Sequence, residues 1–172
     1  MYKLRTYREG GQIQQPKAVV ALFHGLTSHM NRGAHLAKYF ASKNIITVGY
    51  DFRGYGKSEG LKGYIDKFDD LISDSEKLIR LTKDIYPNVP LYGVGLSLGG
   101  AVAYHLSLKN RQMFNGTVLM APALKPSMQH EQYHNFLLHL ASFAEAVLPS
   151  ELRIKKMNYQ YNCKNPNYKE YC

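Results

Sequence analysis

Short apolar runs alternate with segments of helical periodicity along this chain. Ala18-Val-Val-Ala-Leu-Phe23 is apolar throughout and stops at His24-Gly25, the pattern of a strand buried on both faces. Ile45 to Tyr50 repeats it and stops at Asp51, Leu91 to Gly95 stops just before a serine, and Thr117 to Met120 stops at Ala121-Pro122. Lys3 to Tyr7 is a further candidate strand. Between the strands, Ala34, Ala37, Phe40 and Ala41 share one helical face within Arg32 to Ser42, and Asn44 ends it. Phe68, Leu71, Ile72, Ser75, Leu78, Ile79, Thr82 and Ile85 form a longer stripe at the same spacing. Asp66, Asp69 and Asp70 suit its electropositive start, and Pro87 and Pro90 stop it. A third helix is expected from Ser97 to about Lys109.

Strand, helix, strand, helix in this order from Ala18 onward implies parallel strands joined by right-handed crossovers, hence an α/β fold with helices on both faces of a mostly parallel sheet. Ligands of such sheets bind beyond the carboxyl ends of the strands, and every unusual residue cluster in this chain sits at one of those ends. From Ser127 the pattern changes. Tyr133, Phe136, Leu137, Leu140, Phe143, Ala144, Val147 and Leu148 recur by threes and fours with no strand after them, and Ser150 to Cys172 is polar, basic and aperiodic. The expected organisation is a core over residues 1–125 and a separate helical region over 126–172.

Composition narrows the classes. With 172 residues, 45% of them apolar and 20% charged, the chain is long enough for one packed domain and far from the composition of disorder. Its longest apolar run is well short of the roughly 20 residues that cross a bilayer, and its first residues lack the apolar region of a signal peptide. A soluble, cytoplasmic chain is expected. Cys163 and Cys172 lack metal-type spacing and read as incidental thiols. The formal net charge of +9 is spread along the sequence, as on a solvated basic surface. Arg153-Ile-Lys155-Lys156, followed by Tyr159 and Tyr161, interleaves cations with aromatics, but no nucleic-acid module surrounds it, so no nucleic-acid partner is expected. Peripheral contact with an anionic membrane fits the charge better. His130 and His134 lie four apart without a third ligand, so no metal is expected.

Gly95-Leu-Ser97-Leu-Gly99 fits G-x-S-x-G, in which a serine occupies a strained turn between strand and helix and its neighbours two away must be small. Gly56-Lys-Ser58-Glu-Gly60 fits the same pattern. Context separates them: Ser97 follows an apolar strand and opens a helix, whereas Ser58 lies in a glycine-rich loop. Ser97 is the candidate nucleophile. Such a serine needs backbone N–H groups aimed at the developing oxyanion, one expected from Leu98 and another from the His24-Gly25-Leu26 loop. His24 is expected to shape that loop rather than act as a base.

His24-Gly25, Asp51-Phe-Arg53-Gly54-Tyr-Gly56-Lys-Ser58-Glu-Gly60, Gly95-Leu-Ser97-Leu-Gly99-Gly100 and Ala121-Pro122, in this order, resemble the α/β-hydrolase fold and, more narrowly, its monoacylglycerol lipase-like branch, grouped with serine aminopeptidase-type hydrolases. The resemblance implies Leu26 and Leu98 as oxyanion donors, supported by His24, Gly25, Gly95 and Gly99, and gives the Asp51–Gly60 loop a bracing role. It also implies a cap over the site, which His130 to Leu148 would begin, a small lipophilic ester as substrate, and no cofactor.

The catalytic acid and base of this fold follow the serine in the chain. After Ser97 there is no Asp; Glu131, Glu145, Glu151 and Glu170 and three histidines, His130, His134 and His139, fall in the helical region or tail, and His105 lies within the helix that Ser97 opens. None is placed to serve Ser97 by the family pattern. Two expectations stand side by side: a serine hydrolase cut short before its Asp, His and C-terminal strands, nearly inert alone, or a non-catalytic relative that binds a lipid or a protein. Ester hydrolysis is the expected reaction, with aminopeptidase or lysophospholipase chemistry as alternatives.

Overall fold

The computed structural model describes residues 4–7 and 16–124. The region 126–172 expected to form a cap, with His130, His134, Cys163 and Cys172, lies outside the described residues. Five strands, β1 (Leu4–Tyr7), β2 (Ala18–Phe23), β3 (Ile45–Tyr50), β4 (Leu91–Leu96) and β5 (Gly116–Met120), form one sheet in the order β1-β3-β2-β4-β5. β3, β2, β4 and β5 run parallel, and β1 pairs antiparallel with β3 (Leu4 opposite Tyr50). Three helices connect them: α1 (Ala34–Ser42), α2 (Phe68–Ile85) and α3 (Leu98–Lys109).

Alternation along β2 distributes the core. Val19, Ala21 and Phe23 point to one face and pack with Leu71, Leu78 and Ile79 of α2 and Val102, Ala103 and Leu106 of α3. Val20 and Leu22 point to the other and meet Met30, Leu36 and Phe40, the last two from α1. All six residues of β2 are buried, which is why its sequence shows no alternation of polarity.

The second helix matches its expected stripe from Phe68 to Ile85. The first starts at Ala34 rather than Arg32, because Met30–Gly33 winds into a tighter 3-10 turn. That turn delivers Met30 into the sheet, where its Sδ and Cε fill the space above Gly49. A lone methionine in a polar stretch (Ser28 to Arg32) gives no periodic signal of burial.

The loop after β3 is built on Asp51. Its buried carboxylate accepts the N–H groups of Met30 (2.7 Å) and Lys57 (2.8 Å), and its carbonyl accepts the hydroxyl of Ser58. Arg53 reaches from the same loop to α2, where Nε and Nη2 donate to the two carboxylate oxygens of buried Asp74 at 2.6 and 2.9 Å. A buried carboxylate held bidentately by arginine is a charge-assisted brace that fixes both distance and orientation.

Candidate active site

β4 ends at Leu96 and α3 begins at Leu98, leaving Ser97 alone to turn the chain. Its backbone sits at φ +51°, ψ −114°, a conformation that a residue with a side chain adopts only when its surroundings enforce it. Three hydrogen bonds do so: Ser97 N–H donates to Met120 O (2.9 Å), and Ser97 O accepts from Ala101 N–H (3.0 Å) and Ala123 N–H (2.9 Å). The flanking glycines permit the turn. A Cβ on Gly95 would lie 2.2 Å from Gly99 O, and one on Gly99 would lie 2.1 Å from Phe23 O. Both positions therefore exclude any side chain, which is the physical content of the spacing read in the sequence.

Ser97 is partly exposed, and among the described residues its hydroxyl has no hydrogen-bond partner. Leu98 is the first residue of α3, so its N–H is one of those without an acceptor inside the helix. Helix dipole and free N–H together favour negative charge at this point.

The loop after β2 lies against the serine: a Cβ on Gly25 would be 3.5 Å from Ser97 Cβ and 3.4 Å from Leu96 O. Gly25 and Ser97 are thus brought together by two adjacent parallel strands, β2 and β4, that end side by side. Leu26 follows with an exposed side chain, then Thr27 in the left-handed region (φ +56°), and Ser28 N–H closes the turn on Gly25 O at 3.2 Å.

His24 is buried behind this loop with both ring nitrogens engaged. Nδ1–H donates to Gly25 O (2.8 Å), and Nε2 accepts the N–H of Phe52 (2.9 Å); this tautomer follows from the donor at Phe52. The ring packs against Phe52, tilted by 39°, at 4.2 Å between centroids. Burial lowers the imidazole pKa to about 4, against weaker opposing effects of the Gly25 hydrogen bond and the Asp51 charge. A neutral ring with both nitrogens engaged locks the loops after β2 and β3 together and is not poised to take a proton near neutral pH.

The second G-x-S-x-G match has none of these features. Ser58 is buried and donates its hydroxyl to Asp51 O within the bracing loop. His105 is two turns into α3, its ring edge against Phe68 of α2 at 5.1 Å, a contact that joins the two helices. Asp74 was not legible as a brace, because on the α2 stripe it occupies a position between Leu71 and Ser75 that reads as a solvated helix residue. Its partner Arg53 supplies the missing signal only once the loop is placed.

The family model described as "Serine aminopeptidase, S33" matches residues 14–171. The chain belongs to this family of α/β-hydrolases. Similar family relatives include the monoglyceride lipase homolog of monkeypox virus, 33% identical over 110 residues, which are 64% of this chain and 40% of that protein. The monoglyceride lipase of Mus musculus is 29% identical over 107 residues, 62% of this chain and 35% of the relative. This S33 chain therefore spans well under half the length of either of these two relatives. Among solved structures, the monoacylglycerol lipase of Paleococcus ferrophilus superposes with a TM-score of 0.67 at 21% identity, covering 87% of this chain and 52% of that one. A yeast monoglyceride lipase superposes with a TM-score of 0.65 at 18% identity, over 87% and 53% of the two chains. At these identities the structures establish that the S33 chain has the α/β-hydrolase fold. The layered sheet expected from its sequence is the one observed.

Proposed function

We propose that this chain carries the nucleophile and oxyanion half of a monoacylglycerol lipase-like serine hydrolase acting on lipophilic carboxylic esters. The observation that carries the reading is the backbone of Ser97, held in a strained conformation by its hydrogen bonds to the end of β5 and to α3, with glycines at the two positions where a side chain collides. Strain of this kind is retained where it serves a purpose.

In the proposed reaction Ser97 Oγ attacks the ester carbonyl. Negative charge develops on the carbonyl oxygen, which accepts the N–H groups of Leu26 and Leu98; the alcohol leaves, and water then releases the acid from the acyl-enzyme. An imidazole must take the serine proton and return it to the leaving alcohol. His24 is excluded from that role by its two hydrogen bonds, and no other described histidine is hydrogen-bonded to Ser97. With no base among the described residues, the oxyanion site and the placement of substrate alone would leave roughly 10³ to 10⁴ of rate over water, as in serine enzymes stripped of their triad.

The names of the matched relatives favour esters, and the family description favours peptides, so substrate class is tested directly. Slow turnover of a medium-chain monoacylglycerol, absent in Ser97→Ala, with no turnover of a prolyl amide is the expected result. Preference for the amide would overturn the ester assignment. The net charge of +9 suits approach to an anionic lipid surface, where such esters reside. Sedimentation with phosphatidylserine vesicles that disappears in high salt is the corresponding outcome.

A further inference from the structure

Charge is segregated between the two faces of the sheet. No Asp or Glu occurs between Glu9 and Asp51, a stretch that holds β2, α1 and β3 together with the cations Lys17, Arg32, Lys38 and Lys43. α2, on the other face, carries more acidic than basic residues, and the ion pairs made by Arg53, Lys77 and Lys109 end on its carboxylates. One side of α1 meets the sheet through Leu36, Ala37 and Phe40. The other side carries His35, Lys38, Tyr39 and Ser42, spaced i, i+3, i+4 and i+7 and all exposed, with Tyr39 at 60%. Lys43 follows with its Nζ over the Tyr39 ring, 5.7 Å from the centroid. Lys17 N–H donates to Asn44 O (2.9 Å), which sets exposed Lys17 beside the same end of the helix. Because this side of α1 is polar in sequence, it needs no apolar cover.

We propose that the outer side of α1, with Lys17, Lys38 and Lys43 around Tyr39, is the surface by which this chain rests on an anionic lipid bilayer. The inference rests on the lipophilic-ester reading above and assigns its membrane contact to one face. Lysines in a stretch of sequence without carboxylates keep their attraction for anionic headgroups, worth about fivefold in affinity for each cation within a Debye length of the surface. An exposed tyrosine, with an apolar ring and a polar tip, suits the boundary between headgroups and acyl chains, and the lysine stems beside it are apolar up to the ammonium. A nucleic acid answers to the same charge, but one aromatic on a convex helix offers neither a groove to track a strand nor a second stacking platform. α1 starts at the carboxyl end of the sheet, after the loop of Gly25 and exposed Leu26, and runs back along it. A bilayer lying along α1 therefore borders the loop that faces Ser97, so an ester leaving the lipid arrives beside the elbow.

The test is sedimentation of the purified 172-residue chain with vesicles of mixed phosphatidylserine and phosphatidylcholine, and with vesicles of phosphatidylcholine alone. Binding to the anionic vesicles only, reversed by high salt, is the expected result. Combining Lys17→Gln, Lys38→Gln and Lys43→Gln should weaken it by about 100-fold, and Tyr39→Ala should weaken it as well. Combining Lys67→Gln, Arg80→Gln and Lys83→Gln makes the same change of net charge at α2 and should weaken it by no more than about threefold. Thermal melts establish that each variant folds. Equal losses in the two triple variants overturn the placement on α1 and leave the earlier reading in force. Absence of binding by the unaltered chain overturns this proposal together with the lipid-surface contact proposed above. Tighter binding to a single-stranded oligonucleotide, abolished by the α1 substitutions, also overturns it and assigns the face to nucleic acid. None of these readouts requires turnover, so the ester chemistry of Ser97 stands or falls separately.

Discussion

His24 illustrates how one buried ring can be worth more as architecture than as chemistry. Its pKa falls from 6.5 to about 4 through burial. Between those values the unfolded chain binds a proton that the folded chain does not, so stability is full above pH 6.5 and declines as pH falls toward 4. The whole effect is at most about 3.5 kcal/mol, since each pKa unit is about 1.4 kcal/mol. Urea unfolding of the wild-type chain should weaken by this order from pH 7 to 4, while His24→Gln, less stable at pH 7, should show a flatter profile. An equally steep profile in the variant would place the titrating group elsewhere. Ser58→Ala should cost about 1–2 kcal/mol, the value of a lost buried hydrogen bond, and should leave the reactivity of Ser97 intact. Gly99→Ala forces a methyl to within 2.1 Å of Phe23 O. It should destabilise the fold by about 3 kcal/mol or more, as the obstacle is backbone and does not yield as a side chain would. Both are read from denaturant midpoints.

The elements were legible to different degrees, for physical reasons. α2 and β2 could be read to within a residue, since a long amphipathic stripe and a wholly buried strand each impose their period on the sequence. The elbow was legible because the collisions at Gly95 and Gly99 leave only one residue type possible. The start of α1 was not, because a 3-10 turn inserts Met30 without any periodic pattern, and the Arg53–Asp74 brace was not, because it joins residues 21 apart through a loop. That brace makes a prediction at this scale. Asp74 is buried and Arg53 more than a third exposed, so Arg53→Ala takes from a buried carboxylate the guanidinium that holds both its oxygens. It should destabilise more than Asp74→Ala does, and a double-mutant cycle should return a coupling of about 1–2 kcal/mol after solvent screening of the exposed guanidinium. Strict additivity would show that the pair does not act as a brace.

At the scale of the molecule, two parallel strands that end side by side bring a strained serine and a glycine loop together. In the proposed reading this is the nucleophile and oxyanion half of a hydrolase site, and no described histidine is hydrogen-bonded to Ser97. The described core was legible from sequence because its strands, turns and helices obey local rules. The region after Leu124 was legible only as a hydrophobic period. The most direct test of the central claim is reaction of the purified chain with an alkyl fluorophosphonate, followed by peptide mass spectrometry. The account predicts a slow adduct on Ser97 alone, abolished by Ser97→Ala and preserved in Ser58→Ala; an adduct on Ser58, or labelling that persists in Ser97→Ala, would contradict it.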